Sequence, residues 1–275
     1  MPTAGSFSPA NRKLNMQISK NDSADLQYAK RLLENPGIAA KISDVLGKSI
    51  DKGFELLPDK SYDAILKITR ESLYKALNFI LKTMDDRFIY PSADLAHKII
   101  AAATGAGGGA FGLSALAIEL PISTSVMLRS IADIARSEGE RINTIESKLA
   151  CLEVFALGGR SRGDDSVDTG YFFVRASLAK AVSDAAEYIV QKGLGQKSVP
   201  VIVKFISAVA SRFGVVVTEK IAAQAIPLVG AAGGALVNTI FIDHFQNMAR
   251  GHFIVRRLER IYGYELVKAT YDKLP

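Results

Sequence analysis

Apolar residues along this chain keep a helical rhythm, broken by turn residues, and twice give way to long stretches without charge. Asn21-Asp22-Ser23, three side chains suited to a helix N-terminus, precede ADLQYAKRLLEN, which Asn35-Pro36-Gly37 ends. Ile38, Ile42, Val45, Leu46 and Ile50 recur at three and four residues and predict a second helix from Ile38 to about Phe54. After Leu57-Pro58-Asp59, a third helix is amphipathic. Tyr62, Ile65, Leu66, Leu73, Leu77, Ile80 and Leu81 line one side, with Lys67, Glu71 and Lys75 on the other. Met84 to Pro91 reads as a loop. Further helices are predicted through Met127 to Ala135, near Glu146 to Leu157 and near Tyr171 to Gln191, with Pro121, Gly139, Asn143, Gly193 and Gly195 as punctuation. SVPVIVKFISAVASRFGVVVTEK (198–220) suits either a strand or a buried helix. Arg250, Arg256, Arg257 and Arg260, interleaved with Phe253, Ile254, Leu258 and Ile261, form a closing basic helix. The pattern predicts a mostly α protein: a disordered tail over 1–21, then a single multi-helix domain over 22–275.

The two charge-free blocks are IIAAATGAGGGAFGLSALAI (99–118) and IAAQAIPLVGAAGGALVNTIFI (221–242). A bilayer core needs about 20 apolar residues as helix, so both are just long enough. Their composition argues against simple spans. The first has six strongly apolar residues among Ala and Gly, and the second carries Gln224, Pro227, Asn238 and Thr239. Gly105 and Gly109, Gly108 and Gly112, and Gly230 and Gly234 each stand four apart. At helical spacing such pairs strip one face to backbone and admit a neighbouring helix, in lipid or in a dry core. Two Gly/Ala-rich buried or membrane-dipping helical segments are the expectation. The arginines beyond the second block would then meet anionic headgroups.

Composition narrows the class. Among 275 residues, 48% hydrophobic and 23% charged exclude wholesale disorder. Mean hydropathy is +0.15. A lone cysteine, Cys151, excludes an intrachain disulfide and a cysteine-based zinc site. The net charge of +6 permits an anionic partner. No nucleic-acid signature accompanies it, and no basic stripe with aromatics, so nucleic acid is not an expected partner. The opening MPTAGSFSPANRKLNMQ lacks the apolar core of a signal peptide. The expected location is cytoplasmic, peripheral to the inner face of the cell membrane.

Catalytic motifs are thin. Gly107, Gly109 and Gly112 satisfy G-x-G-x-x-G, with Asp133 where a ribose-binding acid would stand, but the surroundings read as helix on both sides. Gly47-Lys48-Ser49 resembles the end of a P-loop whose first glycine is Ile42 instead. Asp164, Asp165 and Asp168 could hold a hard cation, or balance Arg160 and Arg162 in a solvated loop. His97, His244 and His252 are too scattered for a zinc site. Asp243-His244 is an adjacent carboxylate and imidazole on different helix faces. Glu119, beside an apolar block and Pro121, could pair with Arg129 or act in chemistry. Glu119, Asp133 and His244 are therefore the catalytic candidates should the chain be a hydrolase acting on lipid or peptide. No cofactor or metal is expected.

Four stretches together resemble the EcsC family of bacterial proteins. They are Leu57-Pro58-Asp59-Lys60; ATGAGGGAFGLSALAIELPISTSVMLRSIADIA (103–135), with its Gly-rich segment, acid-x-Pro and Arg-bearing helix; CLEVFALGG (151–159); and IPLVGAAGGALVNTIFIDHFQNMARGHFIVRRLE (226–259). Glu119 stands where the family typically has Asp, and Ser137-Glu138-Gly139-Glu140 replaces a Tyr-Gly-Tyr-like ending. The resemblance implies a mostly helical protein of cytoplasmic or membrane-peripheral habit, in a family named from a member encoded beside an ABC transporter, and it transfers no catalytic residue. The expected function is a non-catalytic, membrane-associated protein that binds anionic lipid or a membrane protein, such as a transporter subunit. Gly105, Gly108, Gly109, Gly112, Gly230, Gly234, Arg250, Arg256, Arg257 and Arg260 are its expected binding residues.

Overall fold

The computed structural model describes residues 17–34, 37–47, 50–58, 60–83, 112–159, 170–193, 199–226 and 230–275. Among them are ten helices and no strand: α1 (Lys20–Leu33), α2 (Ile38–Leu46), α3 (Asp51–Glu55), α4 (Ser61–Thr83), α5 (Gly112–Ser137), α6 (Ile145–Leu157), α7 (Tyr171–Lys192), α8 (Pro200–Ala225), α9 (Gly230–Tyr262) and α10 (Tyr264–Lys273). The chain forms a single helical domain.

Two helices make the centre. In α6 every residue from Ser147 to Ala156 is buried, because α4, α5, α7, α8 and α9 pack around it. α8 is buried along most of its length, with α2, α3, α4, α6, α7 and α9 as neighbours. A helix enclosed on all sides needs apolar residues all round, which explains why 198–220 shows no single apolar stripe. Phe155, Phe213, Phe241 and Phe245 join α6, α8 and α9 in one aromatic cluster, with ring centroids 4.8–6.1 Å apart.

Several boundaries differ from the periodicity. α1 starts at Lys20, because Ser19 supplies the cap through Oγ, which accepts from the Asp22 N–H at 3.1 Å. The segment expected as one helix from Ile38 to Phe54 is two. Gly47 takes a left-handed φ of 63° after Leu46 and closes α2, so the first glycine of the P-loop lookalike is a helix cap; Lys48 and Ser49 lie outside the described residues. Pro121 does not punctuate: α5 runs through it. The proline leaves the Ala117 carbonyl without its N–H partner, and Ala117 is exposed.

The second charge-free block is not one segment. Residues 221–225 finish α8, Ile226 is extended ahead of Pro227, and α9 begins at Gly230. Of the first block, 99–111 lies outside the described residues, and 112–118 opens α5. Of the expected tail over 1–21, residues 1–16 lie outside them as well, while Lys20 and Asn21 already belong to α1; the loop from Met84 to Pro91 and the acidic loop with Asp164, Asp165 and Asp168 also lie outside.

Candidate functional site

The described parts of the two charge-free blocks, 112–118 with 221–226 and 230–242, approach one another at one end of the bundle. Gly53 of α3 lies against α8 so closely that a Cβ there would stand 1.9 Å from the Ala222 carbonyl oxygen. Lys220 Nζ of α8 donates to Glu119 Oε1 of α5 at 2.6 Å. Gln224 of α8 reaches Asn238 of α9 at 3.5 Å. These three contacts bring α3, the start of α5, the end of α8 and the start of α9 together.

That end exposes large apolar side chains. Ile118 is 71% exposed and Ile122 45%, and Phe54, Leu56 and Leu236 are also exposed. Ile118, Ile122, Ala117 and Pro121 of α5 face Phe79 of α4 across an apolar groove of about 570 Å³, with Lys75 on its rim. Lys52 and Lys60 are exposed on either side of Phe54 and Leu56. Of the described helices, α8 alone is long and apolar enough to cross a membrane, and 61% of that stretch is buried inside the bundle.

The opposite end is polar. Glu140, just past α5, accepts from Arg256 Nε at 2.8 Å, from Arg260 and from Ser147 Oγ at 3.0 Å. Burial opposes its ionisation, but the hydrogen bonds and charge of Arg256, with the charge of Arg260, outweigh that and hold the carboxyl below its ordinary range. Arg257 faces Asp25 at 2.6 Å and Glu138 at 3.1 Å. Arg175 of α7 grips Glu259 in a bidentate pair at 2.7 and 3.0 Å. Beside it, the Tyr171 hydroxyl and His252 Nδ1 are 3.0 Å apart in the core.

The catalytic candidates are not brought together. Glu119 belongs to the Lys220 pair, in which the Lys220 side chain is 2% exposed and its ammonium lies 4.7 Å from the Phe241 ring centre. Asp133 stands 14 residues further along α5, about 21 Å at helical rise, in an exposed pair with Arg136. His244 is buried and its Nε2 lies 2.9 Å from the Gly158 carbonyl oxygen. A carbonyl only accepts, so Nε2 carries the proton. Burial pulls the His244 pKa down to about 4, which keeps the ring neutral. Asp243, its neighbour in sequence, is exposed. Asp133 lies within α5, with no strand among the described residues to frame a dinucleotide turn. No group of three metal-ligating side chains forms among the described residues.

The expected binding residues divide. Gly105, Gly108 and Gly109 lie outside the described residues, and Gly112 and Gly230 begin α5 and α9. Gly234 sits within α9, where a Cβ would meet no described atom within 4 Å. Arg250 is exposed and donates to Asn247. Arg256, Arg257 and Arg260 are all engaged by carboxylates of the chain itself. The glycines at close approaches are others: Gly53, Gly158, Gly159 and Gly251. A Cβ on Gly159 would fall 2.2 Å from the Arg212 carbonyl oxygen, and one on Gly158 2.5 Å from His244 Nε2. Regular four-residue spacing, the signal that singled out Gly230 and Gly234, is missing from these four.

A model described as the EcsC protein family matches residues 6–258 of the chain. No curated protein and no solved structure matches it.

Proposed function

The chain belongs to the EcsC protein family, and from the apolar end of its bundle we propose that it is a non-catalytic, membrane-associated protein that docks on an anionic lipid surface. The observation that carries this reading is the pair Ile118 and Ile122, exposed on successive turns of α5 beside an apolar groove. Exposed side chains of this size gain when covered, by about 1.5–3 kcal/mol for a fully buried isoleucine. Lys75 stands on the rim of that groove, and Lys52 and Lys60 are exposed on α3 and at the foot of α4; these cations supply charge that an anionic leaflet attracts, at roughly 1 kcal/mol each. These lysines take the part that periodicity assigned to Arg256, Arg257 and Arg260, whose guanidiniums already face carboxylates. The protein would sit at the inner face of the membrane as a peripheral guest.

Flotation with vesicles of phosphatidylglycerol and phosphatidylcholine tests the reading. The protein should float with them at low salt, less at high salt, and poorly with phosphatidylcholine alone. Ile118→Ser together with Ile122→Ser should weaken binding tenfold or more while circular dichroism stays unchanged. Absence of flotation on anionic vesicles overturns the lipid reading. Crosslinking in cells through Ile118 to a single membrane protein would then identify the groove as that protein's site.

A further inference from the structure

Glu153 is a carboxylic acid placed where carboxylates are rarely left alone. It sits in the middle of α6 and is 5% exposed. It hydrogen-bonds to no described residue. Its two neighbouring cations are already matched: Arg175 by Glu259 in a bidentate pair, and Arg256 by Glu140. The small part of Glu153 that stays accessible opens into a cleft of about 680 Å³ between α6 and α7, closed on one side by Arg256 and Tyr264. That volume lies within the range of small-molecule sites.

The walls restrict what fits. Ala176, Ala179, Val182 and Ala186 give an aliphatic side along α7. Glu146 and Glu187 stand exposed at the rim. With each arginine matched, the charge left over in the cleft is negative. Glu146 and Glu153 lie seven residues apart on one helix, two turns and about 10 Å. A buried carboxylate without a donor is costly, and a ligand that brings N–H groups and positive charge removes that cost. A hard metal ion does not suit the site, because no third ligating carboxylate or imidazole joins Glu153 among the described residues.

We propose that this cleft binds an aliphatic primary amine: one ammonium donates to Glu153 at the floor, the methylene chain lies along Ala176, Ala179 and Val182, and a second ammonium meets Glu146 at the rim. A free polyamine and paired lysine side chains of a peptide share this chemistry. The site is separate from the apolar end of the bundle and does not depend on lipid docking. The charged groups acting on Glu153 are Arg175 from α7 and Arg256 and Glu259 from α9. Burial raises its pKa to about 7, so near neutral pH an ammonium partner draws out the ionised form.

The test is isothermal titration of the full chain with spermidine and, separately, with the peptide acetyl-Lys-Ala-Ala-Lys-amide. Saturable binding of one or both is expected. It should weaken tenfold or more in Glu153→Gln and severalfold in Glu146→Gln, an exposed change that spares the core. The tighter probe identifies the source of the amine. Binding of neither probe overturns the proposal. So does binding unchanged in Glu153→Gln, or an equal response to magnesium at the same ionic strength, either of which would mark charge screening at the surface. Ile118→Ser should leave amine binding intact.

Discussion

Lys220 Nζ lies 2.6 Å from Glu119 Oε1, with the lysine side chain 2% exposed and the glutamate 18%. The pair ties the first turns of α5 to the last turns of α8. Two opposite charges removed from water together are tolerable, and one alone is not. This explains how a buried ammonium survives beside the Phe241 ring. It also gives Glu119 a structural employment.

Lys220→Met should therefore destabilise the protein by about 2–4 kcal/mol, because Glu119 loses its partner while the volume is kept. Adding Glu119→Gln should recover most of that loss. Urea unfolding of the two single variants and the double variant measures the coupling. Independent, additive effects would mean that the pair contributes nothing.

Glycine substitutions should follow contact distance and not spacing. Gly159→Ala pushes a methyl group into the Arg212 backbone, which cannot retreat as a flexible side chain would. A loss of at least about 3 kcal/mol, or failure to fold, is expected. Gly234→Ala meets no described atom within 4 Å and removes a helix-interior glycine. It should be neutral or stabilising by about 0.5–1 kcal/mol. Thermal melts of both decide, and the reverse order would sink the packing assignment.

Two buried groups should give opposite pH slopes. The folded His244 pKa, about 4, lies below the unfolded value near 6.5. Its contribution is present above pH 6.5 and lost as the pH falls toward 4, up to about 3 kcal/mol. The folded Glu153 pKa, about 7, lies above the unfolded value near 4.5, so its burial costs stability increasingly as the pH rises from 4.5 to 7. Glu153→Gln should thus stabilise the protein at pH 8, by up to about 3 kcal/mol, and change nothing at pH 4.5. Guanidinium unfolding across this range, with and without each substitution, reads both slopes.

Cys151 is buried in α6, and burial pushes its thiol well above the ordinary range. A thiol reagent should label it only when the bundle opens. The labelling rate should therefore track unfolding and rise in the Lys220→Met variant. Rapid labelling of the native protein would show that α6 is accessible.

Helices α4, α6 and α7 were legible almost to the residue, since amphipathic spacing and the punctuation at Asn143 and Gly193 are local signals. The split at Gly47 and the passage of α5 through Pro121 were not, because each depends on what the backbone meets outside its own turn. The candidate site was less legible still. Glu153 is the lone charge in the apolar run LACLEVFAL (149–157), which hints at burial but does not say which cations stand near it. Residues of α7, α9 and α10 line the cleft it opens into, and among the described residues its two neighbouring arginines are already claimed by Glu259 and Glu140. Arg256, Arg257 and Arg260 look like a free basic face in one dimension for the same reason: Asp25 and Glu140 are more than a hundred residues away.

The amino-acid order alone was enough for a mostly helical protein resembling the EcsC family and for the limits of several helices. Those properties follow from hydrogen bonds and apolar spacing within a few turns. Only the tertiary structure decided which charges are matched, which glycines are contacts and where an unpaired acid is enclosed. Burial and pairing are set by the distance between side chains in space, and in this bundle the deciding partners come from helices far apart along the chain.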